Sequence, residues 1–171
     1  MRKVIVYFVD KCRKLKHYIS TFLFKRQLVS YGDHIGAAKI IKISRKAKVS
    51  IGCHCGFNGM TISGLGGGGG GVKIGNYFHS GTDILIMLGS HDYEYGDKIP
   101  YGSHYKPKNV VIDDFVWLGS NVIISGNVHI WRGSNSCSWF CCSKRCSSVC
   151  NCGWKSCQNY KIQKYIPIQN A

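Results

Sequence analysis

The stretch from Val110 to Trp131, V-V-I-D-D-F-V-W-L-G-S-N-V-I-I-S-G-N-V-H-I-W, decides the fold. A branched aliphatic residue occupies every sixth position of it, at Ile112, Leu118, Ile124 and Ile130. A six-residue period is neither the period of an amphipathic helix nor that of a half-buried strand. It is the period of hexapeptide repeats in a parallel β-helix, where each short strand ends at a corner.

Other parts of the chain carry the same period. Three such strands close one triangular coil, which cannot bury its inward aliphatic face alone, so further coils must stack on it about 4.8 Å apart. The residues that keep the register are Ile35, Ile41 and Ala47, then Ile43 and Val49, then Ile62, Ile74, Ser80 and Ile86. The sequence predicts an all-β domain of about five coils over residues 35–130.

Two interruptions fall inside the repeat. The glycine run at residues 64–71 is predicted to be a slack corner, because no Lys-Ser/Thr pair or helix start follows it, as a phosphate-binding loop requires. Residues 87–109 hold many His, Tyr and acidic residues and no six-residue period. Long loops on a rigid scaffold commonly carry function, so this segment is the predicted active-site loop.

Residues 1–34 are predicted to form a separate basic helical unit, with apolar residues near helical spacing from Ile5 to Leu23. A basic amphipathic helix can lie on an anionic membrane surface. The favoured alternative is a helix that caps the open first coil of the solenoid. No segment is long enough to span a bilayer or to serve as a signal peptide, so a cytoplasmic protein is expected, with contact at the inner face of the membrane left open.

The net charge of +15 is concentrated outside the repeat. Residues 1–48 carry +11, residues 49–130 carry −2 and residues 131–171 carry +6. Because the organised middle is nearly neutral, the composition does not predict a nucleic-acid partner.

Four motifs in a fixed order resemble a known family: F-N-G-M at 57–60, I-G-N-Y-F-H-S-G at 74–81, G-S-H-D at 89–92, and V-I-D-D-F-V-W-L-G-S-N-V-I-I at 111–124. They resemble the hexapeptide-repeat acyltransferases, in the branch of maltose, galactoside and nodulation O-acetyltransferases with their capsule and lipopolysaccharide relatives. The resemblance covers about residues 35–130. It implies a left-handed parallel β-helix, a homotrimer with sites at subunit boundaries, acetyl-CoA as co-substrate, a sugar or polysaccharide acceptor, and no metal.

The resemblance also implies site residues. His91 matches the catalytic histidine and Asn58 an asparagine that holds the acceptor. Trp117, Gly119 and Ser120 match the path of the pantetheine arm, and Ser125 and Gly126 are further candidate contacts for the cofactor. The chemistry agrees, because attack of a sugar hydroxyl on a thioester needs a base, and a histidine in that role contributes roughly 10²–10⁴ in rate.

Three neighbours of His91 have open roles. Asp92 and Glu94 could orient His91 or bind the sugar, although acids in an exposed loop are usually solvated. Tyr93, like the other tyrosines of the loop, could stack on a sugar ring or only pack the loop onto the scaffold.

Two other functions stay open. The zinc carbonic anhydrases built on the same prism would require three converging histidines, for which His79, His91 and His104 are the candidates. A non-catalytic remnant or interaction module is the other alternative.

The six-residue period stops after Ile130. Residues 131–171 contain seven of the ten cysteines and no acid. A metal site is one interpretation, but the cysteine spacings fit no common zinc pattern.

The genetic code offers another interpretation of this tail. Reading one base on turns Cys codons into Val or Ala codons and Trp codons into Gly codons. From Trp131 onward, one permitted codon choice gives G-E-E-A-I-V-A-A-G-S-V-V-V-K-D-V-P-P-Y-A-I-V-G-G-N-P-A-K, which restores the hexapeptides. We therefore hypothesise a frameshift near residue 131, real or from sequencing, and expect weak or no activity from a chain that lacks its last coil.

Overall fold

The computed structural model describes residues 2–64, 69–92, 94–95, 98, 102–136, 141–142 and 151–152. One helix, α1 (Arg2–Lys25), precedes a succession of short strands. The first coil contains β1 (Ser30–Tyr31), β2 (Gly36–Ala37) and β3 (Lys42–Ile43). The second contains β4 (Lys48–Ile51), β5 (Gly56–Phe57) and β6 (Met60–Ser63), and the third β7 (Gly71–Ile74), β8 (His79–Ser80) and β9 (Ile84–Met87).

A hairpin separates the third coil from the fourth. Its strands are β10 (Gly89–His91) and β11 (Tyr105–Pro107). The fourth coil contains β12 (Val110–Ile112), β13 (Trp117–Leu118) and β14 (Ile123–Ile124). The last described strands are β15 (Val128–Ile130), β16 (Asn135–Ser136), β17 (Cys141–Cys142) and β18 (Asn151–Cys152).

The coils stack into three parallel sheets, which form the three faces of a prism. Face 1 has the order β1-β4-β7-β12-β15, face 2 the order β18-β16-β13-β8-β5-β2, and face 3 the order β17-β14-β9-β6-β3. The predicted fold, a left-handed parallel β-helix with an N-terminal helix, is confirmed. This handedness is an exception to the usual right-handed crossover between parallel strands.

The predicted aliphatic positions form columns inside the prism. On face 1, Ile51 pairs with Ile74, Ile74 with Ile112, and Ile112 with Ile130. All four side chains are buried, with at most 5% of their surface exposed. Each buried Ile side chain contributes roughly 1.5–3 kcal/mol, so stacking the coils is the main source of stability.

Both interruptions of the repeat lie at the corner between face 3 and face 1. The glycine-rich segment joins β6 to β7, and the hairpin segment joins β9 to β12. Lys73 pairs with Val111, 38 residues on, whereas Val111 pairs with His129, only 18 residues on. The scaffold thus absorbs the insertion at one corner without losing register.

A second corner, between faces 1 and 2, carries a ladder of stacked rings. Its residues, each with φ between 55° and 58°, are His34, His54, Tyr77 and Phe115. Successive ring centroids lie 4.6, 5.0 and 4.9 Å apart. A side chain at positive φ is strained by roughly 1–2 kcal/mol, and stacking between coils offsets part of that cost.

The C-terminal third of α1 closes the open first coil. Phe24 is buried and packs edge-on against Phe57, with ring centroids 5.0 Å apart. Ser20 is also buried, and Thr21 Oγ1 accepts a hydrogen bond from the Ala37 N–H at 2.9 Å. The helix therefore caps the solenoid, through a face that holds one phenylalanine among small polar residues.

Strand pairing extends beyond both predicted limits of the repeat. β1 pairs with β4, so the coils start at Ser30, before the predicted start at residue 35. After residue 130, β16 pairs with β13 and β17 with β14. Backbone hydrogen bonds require no particular side chain, which is why the ladder continues where the aliphatic pattern stops. No helix in the described part of the chain is long and apolar enough to cross a membrane.

Candidate functional site

The hairpin β10–β11 carries the predicted catalytic histidine. Its register pairs Ser90 with Lys106 and His91 with Tyr105. At the base of the hairpin the Lys108 N–H donates to the Leu88 carbonyl at 2.9 Å, and Leu88 is fully buried. The hairpin is therefore anchored to the rigid prism at its root.

The imidazole of His91 is half-buried against the second strand of the hairpin. Its ring lies 4.6 Å from the ring of Tyr105 at an interplanar angle of 42°. Beyond His91, the Asp92 N–H donates to the His104 carbonyl at 3.0 Å, which continues the ladder by one more bond. His91 is thus placed by ordered backbone on both sides.

An ion cluster holds the turn after His91. Lys106 Nζ lies 3.1 Å from Asp92 Oδ1 and also contacts Glu94 Oε2. Asp92 Oδ1 accepts hydrogen bonds from the backbone N–H groups of Glu94 (3.1 Å) and Tyr95 (3.0 Å).

Desolvation, acting by itself, would raise the pKa of Asp92. The hydrogen bonds from Tyr95, Lys106 and Glu94 outweigh it, so the pKa lies below its usual value. The hydrogen bonds to Glu94 and then Asp92 raise the pKa of Lys106. The contacts of both carboxylates with Lys106 and the backbone thus hold the turn that follows His91.

The other predicted site residues fall into two groups. Asn58 directly follows Phe57 and Gly119 directly follows Leu118, and both of these preceding residues align with Ser80 on face 2. Trp117 lies on the same face with 46% of its surface exposed. Asn58 Nδ2 donates to the Ser80 carbonyl at 2.9 Å, and Ser120 Oγ accepts from the Thr82 N–H at 3.1 Å. This group occupies the corner between faces 2 and 3, away from the hairpin root.

The second group lies beside the hairpin. Ser125 and Gly126 follow β14, at the corner from which the hairpin departs. A Cβ on Gly126 would lie 2.6 Å from Lys108 Cδ and closer still to Lys108 Cβ. The absence of a side chain at Gly126 therefore makes room for the side chain of Lys108. Tyr93 lies outside the described residues.

An open cavity of about 420 Å³ lies at the root of the hairpin. Its lining residues are Asn109, Val111, Asn127, Val128, His129 and Trp131. The Asn127 N–H donates to the Asn109 carbonyl at 2.7 Å, and the Asn109 N–H donates to Asn127 Oδ1 at 3.2 Å. These reciprocal bonds fix the wall of the cavity next to the hairpin.

A histidine–carboxylate pair borders this cavity. His129 Nε2 lies 3.0 Å from Asp113 Oδ1, and the ring of Trp131 stacks on His129 at a centroid distance of 4.2 Å. A carboxylate partner fixes the tautomer and orientation of an imidazole, as in many acid–base sites. This pair was not predicted from the sequence. The length of the coil, 18 residues, could have revealed it. That length aligns His129 with Val111 and so places His129 diagonally opposite Asp113.

Within the described ranges, no three His, Cys, Asp or Glu side chains come together as a metal-binding group. His79, His91 and His104 accordingly form no three-ligand cluster within one chain. Most of the cysteine-rich tail lies outside the described residues.

Solved structures share this fold. A mutant of AntD, an N-acyltransferase from Bacillus cereus in complex with dTDP and coenzyme A, matches with a TM-score of 0.53 and 17% identity, over 76% of this chain and 81% of that chain. A second AntD mutant, in complex with dTDP-4-amino-4,6-dideoxyglucose and coenzyme A, matches with a TM-score of 0.52 and 18% identity, over 84% of this chain and 85% of that chain.

A hexapeptide-repeat acetyltransferase from Vibrio cholerae O1 biovar eltor, VCA0836, complexed with acetyl coenzyme A, matches with a TM-score of 0.45 and 18% identity, over 72% of this chain and 65% of that chain. No protein-family model and no curated protein sequence matches the chain. The AntD structures therefore show that this chain shares the fold of that N-acyltransferase.

Proposed function

We propose that this protein is an acyl-CoA-dependent O-acetyltransferase that acetylates a hydroxyl of a sugar or polysaccharide precursor, with His91 as the base. The observation that carries the proposal is the placement of His91 on an ordered hairpin, whose root at Asn109 borders an open cavity of about 420 Å³. Further support comes from AntD, which shares the fold and was crystallised with coenzyme A and a dTDP-aminosugar. Acetyl-CoA is the proposed co-substrate.

The proposed reaction is a direct transfer without an acyl-enzyme. An imidazole nitrogen of His91 accepts the hydroxyl proton as the oxygen attacks the thioester carbonyl. Backbone N–H groups of the coils stabilise the oxyanion. Collapse of the tetrahedral intermediate forms the ester, breaks the C–S bond, and returns the proton from His91 to the departing CoA sulfur.

A homotrimer is part of the proposal. Asn58 and Trp117 lie by the corner between faces 2 and 3, whereas His91 projects from the corner between faces 3 and 1. One chain therefore does not bring these proposed acceptor, cofactor and base residues together. A site at a subunit boundary, with each corner supplied by a different copy, would do so.

Replacing His91 by Ala tests the assignment of the base. In the frame-restored protein we expect kcat to fall by roughly 10²–10⁴, measured as the rate of acetylated product formation by mass spectrometry with a panel of sugar acceptors. His104→Ala on the same hairpin is the matched control, because His104 holds Asp92 through its backbone carbonyl. Near-normal turnover in His91→Ala would remove His91 from this role. Loss in His129→Ala alone would transfer the role to the His129–Asp113 pair.

We also propose that the chain after Ile130 is the product of a frameshift. Position 134 belongs to an inward column whose other members are Ile35, Cys55, Phe78 and Val116, all apolar and buried. Ser134 is buried there, and its hydroxyl has no hydrogen-bond partner. An orphaned buried hydroxyl costs roughly 1–3 kcal/mol, which the reconstructed reading frame avoids by placing Ala at that position.

The coding DNA tests the frameshift directly. Codons 131–171 read one base on must continue the hexapeptide pattern, and early stops or an unrelated peptide would refute the proposal. If the frame is restored in an expressed protein, we expect acetyl transfer to increase relative to the chain as it stands. A well-folded, frame-restored protein with no turnover on any acceptor would count against the enzyme assignment itself.

A further inference from the structure

Helix α1 leaves its largest apolar surface in solvent. The spacing of Ile5, Phe8, Cys12, Leu15, Ile19 and Phe22 alternates between three and four residues, which forms one stripe along the helix. All six are exposed, Phe8 at 68% and Leu15 at 59%. At 1.5 Å per residue this stripe is about 26 Å long.

The stripe is not the face that caps the solenoid. The capping contacts come from His17, Ser20, Thr21 and Phe24, with His17 packed against Gly36. At 100° per residue, the capping residues lie on roughly the opposite side of the helix from the stripe. Capping the first coil therefore does not cover the apolar stripe.

The borders of the stripe are positively charged. Lys11 and Lys16 are exposed on either side of it, and Lys25 follows at the end of the helix. The one acid of the helix, Asp10, lies 3.6 Å from Arg13. Residues 1–26 together carry eight Lys or Arg and one acid.

This charge pattern distinguishes between two occupants of the stripe. The three-four spacing would suit a coiled coil with a second copy, but Lys11 and Lys16 would then face each other across the helices without an acidic partner. An anionic lipid surface, by contrast, accepts the apolar stripe and pairs with the lysines on its borders.

We infer that α1 docks the protein on an anionic membrane surface, with the stripe from Ile5 to Phe22 at the headgroup–acyl boundary. The helix lies in the plane of the interface, since it is too polar to cross the bilayer. This inference is independent of acetyl transfer. It would place the prism, and any site on it, next to lipid-linked or membrane-borne substrates.

Sedimentation of the full chain with lipid vesicles tests docking. We expect binding to vesicles with about 30% phosphatidylglycerol and at least about tenfold weaker binding to pure phosphatidylcholine at the same salt. Alkylation of Cys12, in the middle of the stripe, should slow in the presence of the anionic vesicles only. Cys53, on the prism, is the internal control, read in the same digest by mass spectrometry.

Two variants separate insertion from simple charge attraction. Phe8→Glu lies on the stripe, and Val6→Glu, 54% exposed and off the stripe, is the matched control with the same change in charge. Each should weaken binding about fivefold through its charge, and Phe8→Glu should weaken it at least about tenfold more through lost apolar burial. Equal losses in the two variants would overturn the inference.

The oligomeric state without lipid completes the test. If Phe8→Glu dissociates an assembly that Val6→Glu leaves intact, the stripe is an interface between copies and the membrane inference is wrong. An unchanged circular dichroism spectrum and melting temperature for both variants would show that neither result reflects unfolding. Unchanged Cys12 protection in Phe8→Glu would equally refute insertion of the stripe.

Discussion

Replacing Gly126 by Ala should destabilise the root of the hairpin. The added methyl would lie 2.6 Å from Lys108 Cδ, 2.9 Å from Lys108 Cγ and closest to Lys108 Cβ. The distal side chain of a lysine can rotate away, but its Cβ moves only with the backbone. That backbone is held by the Lys108 N–H to the Leu88 carbonyl and by the paired Asn109 and Asn127.

The expected cost follows from overpacking. Forcing one methyl into a site that relaxes only through the backbone costs roughly 1–3 kcal/mol. For a chain of this length that corresponds to a melting temperature lower by roughly 2–12 °C. Thermal unfolding followed by circular dichroism, at one fixed protein concentration, measures it. Because Lys108 leads out of the hairpin, kcat of the frame-restored protein should also fall as His91 is displaced.

A compensating variant makes the reasoning refutable. Lys108→Gly removes the Cβ that the new methyl would strike. In a Lys108→Gly background, Gly126→Ala should therefore lower the melting temperature much less than it does in the wild type. If Gly126→Ala leaves the melting temperature unchanged but raises the KM for acetyl-CoA, Gly126 serves the cofactor and the steric explanation is wrong. Failure of the double variant to recover would also contradict it.

Three further predictions follow from the described contacts. Since the pKa of Asp92 is lowered in the folded protein, its stabilisation is present above its unfolded pKa of about 3.9 and is lost as pH falls through the lower, folded value. Wild type should therefore melt above Asp92→Asn at pH 7, by a margin that shrinks below about pH 4, and a margin independent of pH would refute the assignment. Burial raises the pKa of the Cys55 thiol, so iodoacetamide should label Cys12 in the native protein well before Cys55, as peptide mapping would show. Phe57→Ala should lower the free energy of unfolding by about 3–5 kcal/mol, because the ring is buried between Phe24 and Phe78, and a loss below about 1 kcal/mol in a denaturant titration would contradict that packing.

The prism was predictable because its determinants repeat. An aliphatic residue at each inward position of every coil is a signal summed over many turns, and the structure places Ile74, Ile112 and Ile130 in one column. The hairpin was predictable as an interruption of that signal. Its register was not, so the pairing of Lys106 with Asp92 and Glu94 could not be derived from the sequence.

The packing of α1 shows why apolar content alone misleads. Phe24 of α1 packs against Phe57 at the open first coil, but the apolar stripe of the helix stays exposed. Small side chains at Ser20 and Thr21 permit the close approach that lets Phe24 enter the prism. Shape complementarity at the end of the coil therefore outweighs the area of apolar surface.

Contacts between coils were missed because they depend on coil length. The ladder of rings from His34 to Phe115 carries a short sequence signal, an Asp, Cys or Asn before each ring at Asp33, Cys53, Asn76 and Asp114. Asn76 and Asp114 use this position to accept backbone hydrogen bonds from the preceding coil, at 2.8 and 2.7 Å. Alignment by coil length, rather than by hexapeptide, reveals both this ladder and the His129–Asp113 pair.

Residues after Ile130 show that strand pairing and the shape of the cavity depend on side chains to different degrees. Strand pairing accepts almost any side chain, and Cys141 and Cys142 pair with Ile123 and Ile124 in unbroken register. The cavity is more selective, since Trp131 lines it and stacks on His129, where the reconstructed frame would place a glycine. A frameshift at this point would thus leave the β-helix recognisable while filling part of the space beside the hairpin of His91, so a well-folded chain with impaired turnover is the expected consequence.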